Sequence, residues 1–282
     1  MIIIKFFSSF GTSEGCIEAY TRVSELKRDP LFNKTYTFTT NNNYTHAIIL
    51  NTAMPNLSIP KENVIGLAFE PIEFLSLTQT FINYAVSNIG RYFIGKKGNL
   101  PSPFEEHFSY MWHITPLTKL PKKNKKMSIM ISKKIHTNGH IYRHAICSSI
   151  LKTDLPIDIY GNGCKYYNTI NDDRIKGEFV SNEPYLDYEY HIAIENVAKP
   201  HYFSEKIMNT LLCNTIPIYL GCENIDNYFP DSVIKLSGNI EEDMEMLHQI
   251  CTTNSSEFIK NINVDKVKKT ISFSNIVKMF MK

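Results

Sequence analysis

The chain has 282 residues, 43% of them apolar and 21% charged, with a formal net charge of +2 at pH 7. This is an ordinary globular composition, and the length suits two domains of the usual ~150 residues each. The charge is too small to indicate binding to nucleic acid or to a membrane surface by itself. Six scattered cysteines without a Cys-x-x-Cys pair indicate reduced thiols of a cytosolic protein.

Short runs of apolar or β-branched residues recur along the chain and alternate with helical stretches. The predicted strands are residues 2–7, 45–50, 63–69, 127–132, 157–161, 190–196, 215–221 and 232–236. Strands that alternate with helices are typical of α/β chains with parallel sheets. The first run is far too short to span a membrane, so we predict a buried strand there.

The segment TKLPKKNKKM, residues 118–127, combines a proline with five lysines and has no apolar periodicity. This pattern predicts a linker. A nucleic-acid-binding tract is the alternative, but the run is short and lacks interleaved aromatic residues. We therefore predict an amino-terminal α/β domain over 1–122, a second α/β domain over 123–260, and a carboxyl-terminal helix over 261–282 that packs back on the first domain.

Two basic residues lie near the start of predicted helices that follow strands. Arg143 follows the strand at 127–132, and Lys206 follows the strand at 190–196. Open α/β sheets bind ligands outside the carboxyl ends of their strands. A lysine in the first turn of a helix opposes the helix dipole unless an anion joins it. We therefore expect a diphosphate between Arg143 and Lys206, with a surface arginine and a solvent-facing lysine as the alternative.

The residues beside these two cations have predicted roles of their own. Ser204 is a plausible N-cap for the second helix, and Glu205 is an acceptor that suits the paired hydroxyls of a ribose. On the first helix, we expect Ile141, Ala145 and Ile150 to face the sheet.

The segment from Tyr190 to Gly221 resembles the donor-binding signature of the family 10 glycosyltransferases, the α1,3/α1,4-fucosyltransferases. In that family, a Phe-Glu-Asn-Ser strand end is followed by Asp-Tyr-Ile/Val-Thr-Glu-Lys, a helix, and a Pro-Val/Ile strand that ends in glycine. The matching residues here are Glu195, Asn196, Tyr202, Phe203, Ser204, Glu205, Lys206 and the run 216–221. Arg143 falls where the family places its phosphate-binding arginine. Val197 and His201 depart from the family pattern.

This resemblance implies an α/β chain of GT-B type, in which two Rossmann-like domains face a central cleft. It implies an inverting glycosyltransferase that moves fucose from GDP-fucose to a glycan acceptor without a metal or another cofactor. The first domain would bind the acceptor and the second the nucleotide-sugar. The implied donor-binding residues are Arg143, Glu195, Asn196, Tyr202, Ser204, Glu205 and Lys206. No nucleic-acid partner and no stable membrane insertion are expected, and the chain lacks the anchor and stem of animal Golgi relatives, so we expect a soluble, cytoplasmic or otherwise intracellular enzyme.

The catalytic base is sought in the first half of the chain. Glu70 follows the apolar strand at 63–69, and a carboxylate that leaves a strand is a natural proton acceptor. It also resembles, more weakly, the glutamate of the family's Glu-Ser-Pro segment, although the serine is missing here. Glu73 is the competing candidate, and either carboxylate could simply solvate a loop. The aromatic stretch 81–113, which contains the single tryptophan, Trp112, could stack on sugars, but core packing is the commoner role.

Several other sites are disfavoured by the sequence. His140 and His144 have the spacing of a helical metal pair but lack a third ligand at a suitable spacing. The chain has no complete dinucleotide fingerprint, no Walker-type glycine loop and no Gly-x-Ser-x-Gly elbow. Two alternatives stay open: a transferase of the same fold with another nucleotide-sugar donor, and a non-catalytic glycan-binding protein on a degenerate transferase scaffold.

Overall fold

The computed structural model of the protein describes residues 1–23, 31–253 and 255–281. These residues form two compact units. The first unit takes its described residues from Met1–Pro116, Lys199–Ser204 and the chain from Lys269 onward, and the second consists of Leu117–Ala198 and Glu205–Lys268. Each unit is built around its own parallel sheet.

The sheet of the first unit has six strands in the order β2-β1-β3-β4-β5-β6, and all neighbours are parallel. The strands are β1 Ile2–Ser8, β2 Tyr36–Phe38, β3 His46–Leu50, β4 Val64–Leu67, β5 Arg91–Ile94 and β6 Phe104–Glu106. The residues of β3 from Ala47 to Leu50 are fully buried, as expected for an inner strand of a parallel sheet covered on both faces.

The sheet of the second unit also has six parallel strands, in the order β12-β11-β10-β7-β8-β9. They are β7 Lys125–Met130, β8 Ile157–Tyr160, β9 Ile175–Gly177, β10 Tyr188–Ile194, β11 Ile216–Leu220 and β12 Ile234–Lys235. The predicted α/β class with parallel sheets is confirmed, and all eight predicted strands are present. β2, β5, β6 and β9 were not predicted; each has only three or four residues.

Five α-helices lie between strands of the described chain, and three follow the last strand. They are α1 Ser13–Val23, α2 Gln79–Asn88, α3 Asn138–Ile150, α4 Glu183–Leu186, α5 Glu205–Leu212, α6 Ile240–Thr252, α7 Val264–Ile271 and α8 Ser274–Phe280. The amphipathic helices expected near the carboxyl terminus are α7 and α8. Between them, Phe273 packs its ring into the first unit, 4.8 Å from the ring of Tyr20 and 5.5 Å from that of Phe38.

The lysine-rich segment predicted as a linker is partly structured. β7 begins at Lys125, and the ammonium group of Lys123 donates to oxygen atoms at the carboxyl ends of α4 and α5. These acceptors are Tyr185 O at 3.2 Å, Leu186 O at 2.9 Å, Cys213 O at 2.8 Å and Thr215 Oγ1 at 2.7 Å. A cation is favourable at helix carboxyl ends because it satisfies the last carbonyl groups.

All six cysteines are free thiols, and five of them are buried. Over the residues that the structure describes, no helix is both long enough and apolar enough to cross a bilayer.

Candidate functional site

The strand order of the second sheet fixes where a ligand-binding crevice is expected. From β7 the chain moves outward through β8 and β9, and it then returns to the other side of β7 with β10. Ligands bind outside the carboxyl ends of the strands at such a reversal. The reversal lies between β7 and β10, which are followed along the chain by α3 and α5, the two helices that carry Arg143 and Lys206.

Helix α3 begins with a side-chain cap and presses closely on the end of β10. The hydroxyl of Thr137 accepts the backbone N–H of His140 at 3.2 Å. The N–H of Gly139 donates to Asn196 O at 3.1 Å, and a Cβ atom at this glycine would lie 1.8 Å from Glu195 O. Only glycine fits this approach, and two amides of the first helical turn are already engaged rather than available to a phosphate.

Arg143 is buried, with 5% of its surface exposed, so the alternative of a surface arginine is wrong. Its guanidinium group donates to Ile194 O at 2.5 Å and to Asn196 Oδ1 at 3.0 Å. Of the three α3 residues expected to face the sheet, Ile150 is fully buried and Ala145 is partly buried, but Ile141 is 56% exposed and its prediction is wrong. The helix is rotated so that its close approach at Gly139 continues through Arg143 and Ile146.

Lys206 is the second residue of α5, and it lies between two carboxylates. Its Nζ atom is 3.5 Å from Oε2 of Glu195 and 3.1 Å from Oε1 of Glu205. Burial lowers the pKa of Lys206, but the attraction of Glu205 and Glu195 outweighs it, so the net pKa is raised. The alternative of a solvent-facing lysine is wrong, since only 19% of this side chain is exposed. The charge balance expected from a bound anion is provided here by the protein's own carboxylates.

The amino end of α3 lies in a positive field. The pKa of His140 is lowered to about 4, first by burial and then by the nearby charges of Arg143, Lys134, Lys206 and His136. His140 is therefore neutral at pH 7. The sequence analysis assigned no role to Lys134 or His136. The only feature that could have indicated them is the cluster of two lysines and a histidine in the loop before α3. The cations near the amino end of α3 make the region suitable for an anionic ligand.

The structure thus brings together five of the predicted donor-binding residues, namely Arg143, Glu195, Asn196, Glu205 and Lys206. Tyr202 and Ser204 belong to the first unit instead, where they are 5% and 2% exposed. Their segment packs closely there, because a Cβ atom at Gly95 would lie 2.9 Å from Pro200 O. The assignment of Tyr202 and Ser204 to the donor stays a prediction.

The two candidate bases differ in their surroundings. Glu70 lies in the bend after β4 and is partly buried. Glu73 forms an ion pair with Lys199, whose Nζ atom is 2.6 Å from its Oε1. Burial raises the pKa of Glu73, but the hydrogen bond and charge of Lys199 exceed this effect, and the net pKa is lowered. A carboxylate with a lowered pKa is a weaker proton acceptor, which argues against Glu73, and the assignment of Glu70 as the base stays a prediction.

His140 and His144 do not form a metal pair. Nδ1 of His140 lies 2.8 Å from Oγ1 of Thr137, whereas the ring of His144 lies between Tyr167 Oη at 3.1 Å and Ser132 O at 2.8 Å. Within the described ranges, no group of three or more His, Cys, Asp or Glu residues is arranged to hold a metal ion.

Residues 120–260, which are 141 of the 282 residues and therefore half of the chain, match the family model "Glycosyltransferase family 10 (fucosyltransferase) C-term". An α-(1,3)-fucosyltransferase B of Drosophila melanogaster is 34% identical over 89 residues, which are 29% of this chain and 20% of that protein. A putative fucosyltransferase of Acanthamoeba polyphaga mimivirus is 30% identical over 115 residues, 36% of this chain and 19% of that protein. The chain thus spans about a fifth of the length of these curated relatives.

Solved structures resemble the whole chain. A crystal structure of an α1,3-fucosyltransferase with GDP has a TM-score of 0.57 and 14% sequence identity, covering 99% of this chain and 89% of that one. A DNA-modifying β-glucosyltransferase has a TM-score of 0.51 and 10% identity, covering 99% of this chain and 98% of that one. These likenesses show the fold, which is an α/β fold of GT-B type as predicted.

Proposed function

Since the chain belongs to glycosyltransferase family 10, we propose that it is an inverting glycosyltransferase that moves fucose from GDP-fucose to a hydroxyl group of a glycan acceptor. The observation that carries this proposal is the convergence of Arg143 and Lys206 at the reversal of the second sheet, beside Glu195, Asn196 and Glu205. Two cations on the helices that follow the neighbouring strands β7 and β10 suit a diphosphate, which accepts charge-assisted hydrogen bonds from both.

The two carboxylates beside Lys206 differ in a way that supports donor binding. The side chain of Glu195 is 0% exposed and is a fixed partner, whereas that of Glu205 is 48% exposed. An exposed carboxylate is able to leave the lysine when a phosphate oxygen replaces it. Glu205 then accepts hydrogen bonds from the ribose hydroxyls, and Lys206 keeps Glu195 as its permanent counter-charge. Without ligand, the carboxylate of Glu205 balances the charge of Lys206, and a phosphate oxygen takes its place when the donor binds.

In the proposed reaction, Glu70 accepts the proton of the acceptor hydroxyl group. At the same time, the oxygen atom of that hydroxyl group attacks the anomeric carbon of fucose. The bond from this carbon to the diphosphate breaks, and GDP leaves with the electron pair. Arg143 and Lys206 stabilise the negative charge that develops on the leaving diphosphate. Because attack comes from the face opposite the nucleotide, the configuration of the anomeric carbon is inverted. No step in this scheme requires a metal ion.

A different nucleotide-sugar is the second candidate donor, since Val197 and His201 depart from the family pattern next to the donor residues. His201 also has a left-handed backbone, with φ of 60°. Histidine, like asparagine and aspartate, is among the residues that take this conformation more often than most.

The proposal is tested by incubating the protein with GDP-fucose, GDP-mannose, UDP-galactose and UDP-N-acetylglucosamine, each with and without EDTA, and measuring release of the nucleoside diphosphate. We expect turnover of GDP-fucose alone, unchanged by EDTA. Turnover of another donor in preference would show that the donor assignment is wrong. Binding of a glycan without turnover of any donor would instead support the non-catalytic alternative.

A further inference from the structure

The first sheet has a strand-order reversal of its own. The chain passes from β1 outward to β2 and returns with β3 on the other side of β1. The carboxyl ends of β1 and β3 therefore mark a second expected binding position, within the first unit. Phe10 follows β1 there, and Asn51 follows β3. Oδ1 of Asn51 accepts the backbone N–H of Phe69 at 2.8 Å, which ties the residue before Glu70 to this edge.

Three aromatic rings meet at this edge. The ring centroids of Phe10 and Phe69 are 5.8 Å apart, those of Phe10 and Trp112 are 5.8 Å apart, and those of Phe69 and Trp112 are 5.4 Å apart. Trp112 meets both of these rings edge-to-face, and it also meets the ring of Tyr20 edge-to-face, with centroids 6.2 Å apart. Phe10 is 48% exposed, whereas Phe69 and Trp112 are partly buried. Two rings thus pack against a third that is about half exposed.

The packing of Trp112 leaves a polar atom unsatisfied. Its Nε1 atom is buried, and it has no hydrogen-bond partner among the described residues. A buried donor without an acceptor is unfavourable, and a phenylalanine at this position would leave no such donor. Unsatisfied groups of this kind are expected where a surface is shaped for function rather than for stability.

We propose that Phe10, Phe69 and Trp112 form an aromatic platform that binds one pyranose ring of the acceptor, with Phe10 as the residue that determines acceptor specificity. This inference rests on the proposed function and adds to it the residues that select the acceptor. A pyranose has a face of C–H bonds that packs on an aromatic ring and a rim of hydroxyl groups. Glu70 directly follows Phe69, so its backbone lies next to the platform.

The size and rigidity of the platform favour a sugar over a protein partner. Only the Phe10 ring of the three is largely exposed, whereas a stable protein interface buries about 800 Å² on each side. Because Phe10 already packs against Phe69 and Trp112, little side-chain freedom is lost when a ring stacks on it. A single sugar ring therefore fits this surface best.

Trp112 is the single tryptophan of the chain, so its fluorescence reports on this platform alone. The test is a titration with methyl β-galactoside, methyl β-glucoside and methyl β-N-acetylglucosaminide, followed by tryptophan emission and by saturation-transfer NMR. We expect a saturable change with at least one of the three sugars, and saturation of its C–H protons. Phe10→Ala should weaken this binding about tenfold, and Phe10→Tyr should restore most of it.

Phe179→Ala is the matched control, because Phe179 is an exposed phenylalanine of the second unit, 36% accessible, and its loss should leave sugar binding unchanged. Two results would overturn the platform: no saturable signal with any of the three sugars, or equal binding by the wild type and Phe10→Ala. Failure of the proposed function is distinguishable, since it would appear as a wild type that neither binds GDP nor turns over GDP-fucose.

Discussion

The Nζ atom of Lys206 lies 3.5 Å from Oε2 of Glu195, a carboxylate whose side chain is completely buried. The ends of two strands enclose this carboxylate, since a Cβ atom at Gly221 would lie only 2.4 Å from Cγ of Glu195. A buried charge requires a counter-charge. Glu195 therefore holds Lys206 at the amino end of α5, where we propose that the diphosphate binds.

Replacement of Lys206 by alanine should weaken GDP binding by about 10- to 100-fold, because a hydrogen bond to a charged group contributes about 1.5–3 kcal/mol. It should also lower the free energy of unfolding, since Glu195 loses a counter-charge. Lys235→Ala is the control: that lysine pairs with Asp226 on the surface, where both side chains are more than half exposed. Calorimetric titration with GDP checks the prediction, and equal affinities for the two variants would contradict it.

Glu70→Gln should lower kcat by about 10²- to 10⁴-fold and leave GDP affinity nearly unchanged, because the amide cannot accept the acceptor proton. Glu73→Gln is the matched substitution three residues on. It removes the ion pair with Lys199 but should keep most of the activity. Steady-state kinetics of both variants decide between the carboxylates. Normal turnover by Glu70→Gln, or a loss confined to Glu73→Gln, would reverse the assignment.

Gly139→Ala should damage both stability and GDP binding. The added Cβ would lie 1.8 Å from Glu195 O and 2.8 Å from Asn196 O, so α3 must move away from β10 and carry Arg143 with it. Gly15→Ala is the control, because its Cβ would meet only Oγ1 of Thr12, at 3.4 Å. On helix α1, this change should raise the free energy of unfolding by up to about 1 kcal/mol. The unfolding temperatures of the two variants, measured with and without GDP, check this prediction. Equal unfolding temperatures and equal stabilisation by GDP would argue against a close contact at Gly139.

Lys123→Met should lower the free energy of unfolding by about 2–4 kcal/mol, because it removes an ammonium group whose three N–H donors are shared among four oxygen atoms. Burial also lowers the pKa of Lys123 to about 8, as expected for a cation enclosed by the protein. The neighbouring Lys122 is exposed, and Lys122→Met should change stability by less than about 0.5 kcal/mol. Urea denaturation measures both changes. A similar small effect for the two lysines would mean that the Lys123 contacts contribute nothing.

Buried His191 and partly buried His113 predict loss of stability in acid. Burial lowers the pKa of His113 to about 4 and that of His191 to about 3, from an ordinary value of 6.5. Between these values only the unfolded chain binds the proton, so the free energy of unfolding should fall as the pH drops from 6.5 toward 4. Each tenfold difference in proton affinity corresponds to about 1.4 kcal/mol.

The effect should be reduced in His113→Gln and unchanged in His248→Gln, because His248 is exposed on α6. Chemical denaturation at a series of pH values provides the measurement. An equal pH dependence in the wild type and in His113→Gln would show that His113 is not the group responsible.

The strands of the two sheet centres were predictable because the runs 45–50 and 190–196 contain uninterrupted apolar cores, Ala-Ile-Ile-Leu and Ile-Ala-Ile. The short strand β9, with its sequence Ile-Lys-Gly, carries no such signal and exists because β8 offers it a hydrogen-bonding edge. The orientation of α3 was missed for a similar reason. Apolar spacing favoured Ile141 as a buried residue, but the approach of Gly139 to the end of β10 decides the rotation, and this contact joins segments more than fifty residues apart.

The candidate site was predictable as a set of residues but not as a charge arrangement. The positions of Arg143 and Lys206 after two strands indicated an anion site, and the structure brings their helices to one reversal of the sheet. Sequence alone could not show that Glu195 is buried against Lys206, because burial depends on the neighbouring strand end at Gly221. Nor could it show that Glu73 forms an ion pair with Lys199, a residue 126 positions further along the chain.

The most direct test of the central claim is a crystal structure of the protein with GDP bound. We predict that Lys206 Nζ and the Arg143 guanidinium group both lie within about 3 Å of diphosphate oxygens, with Glu205 turned from Lys206 to the ribose hydroxyls. A diphosphate that contacts neither cation, or GDP bound away from the carboxyl ends of β7 and β10, would contradict the proposed donor site.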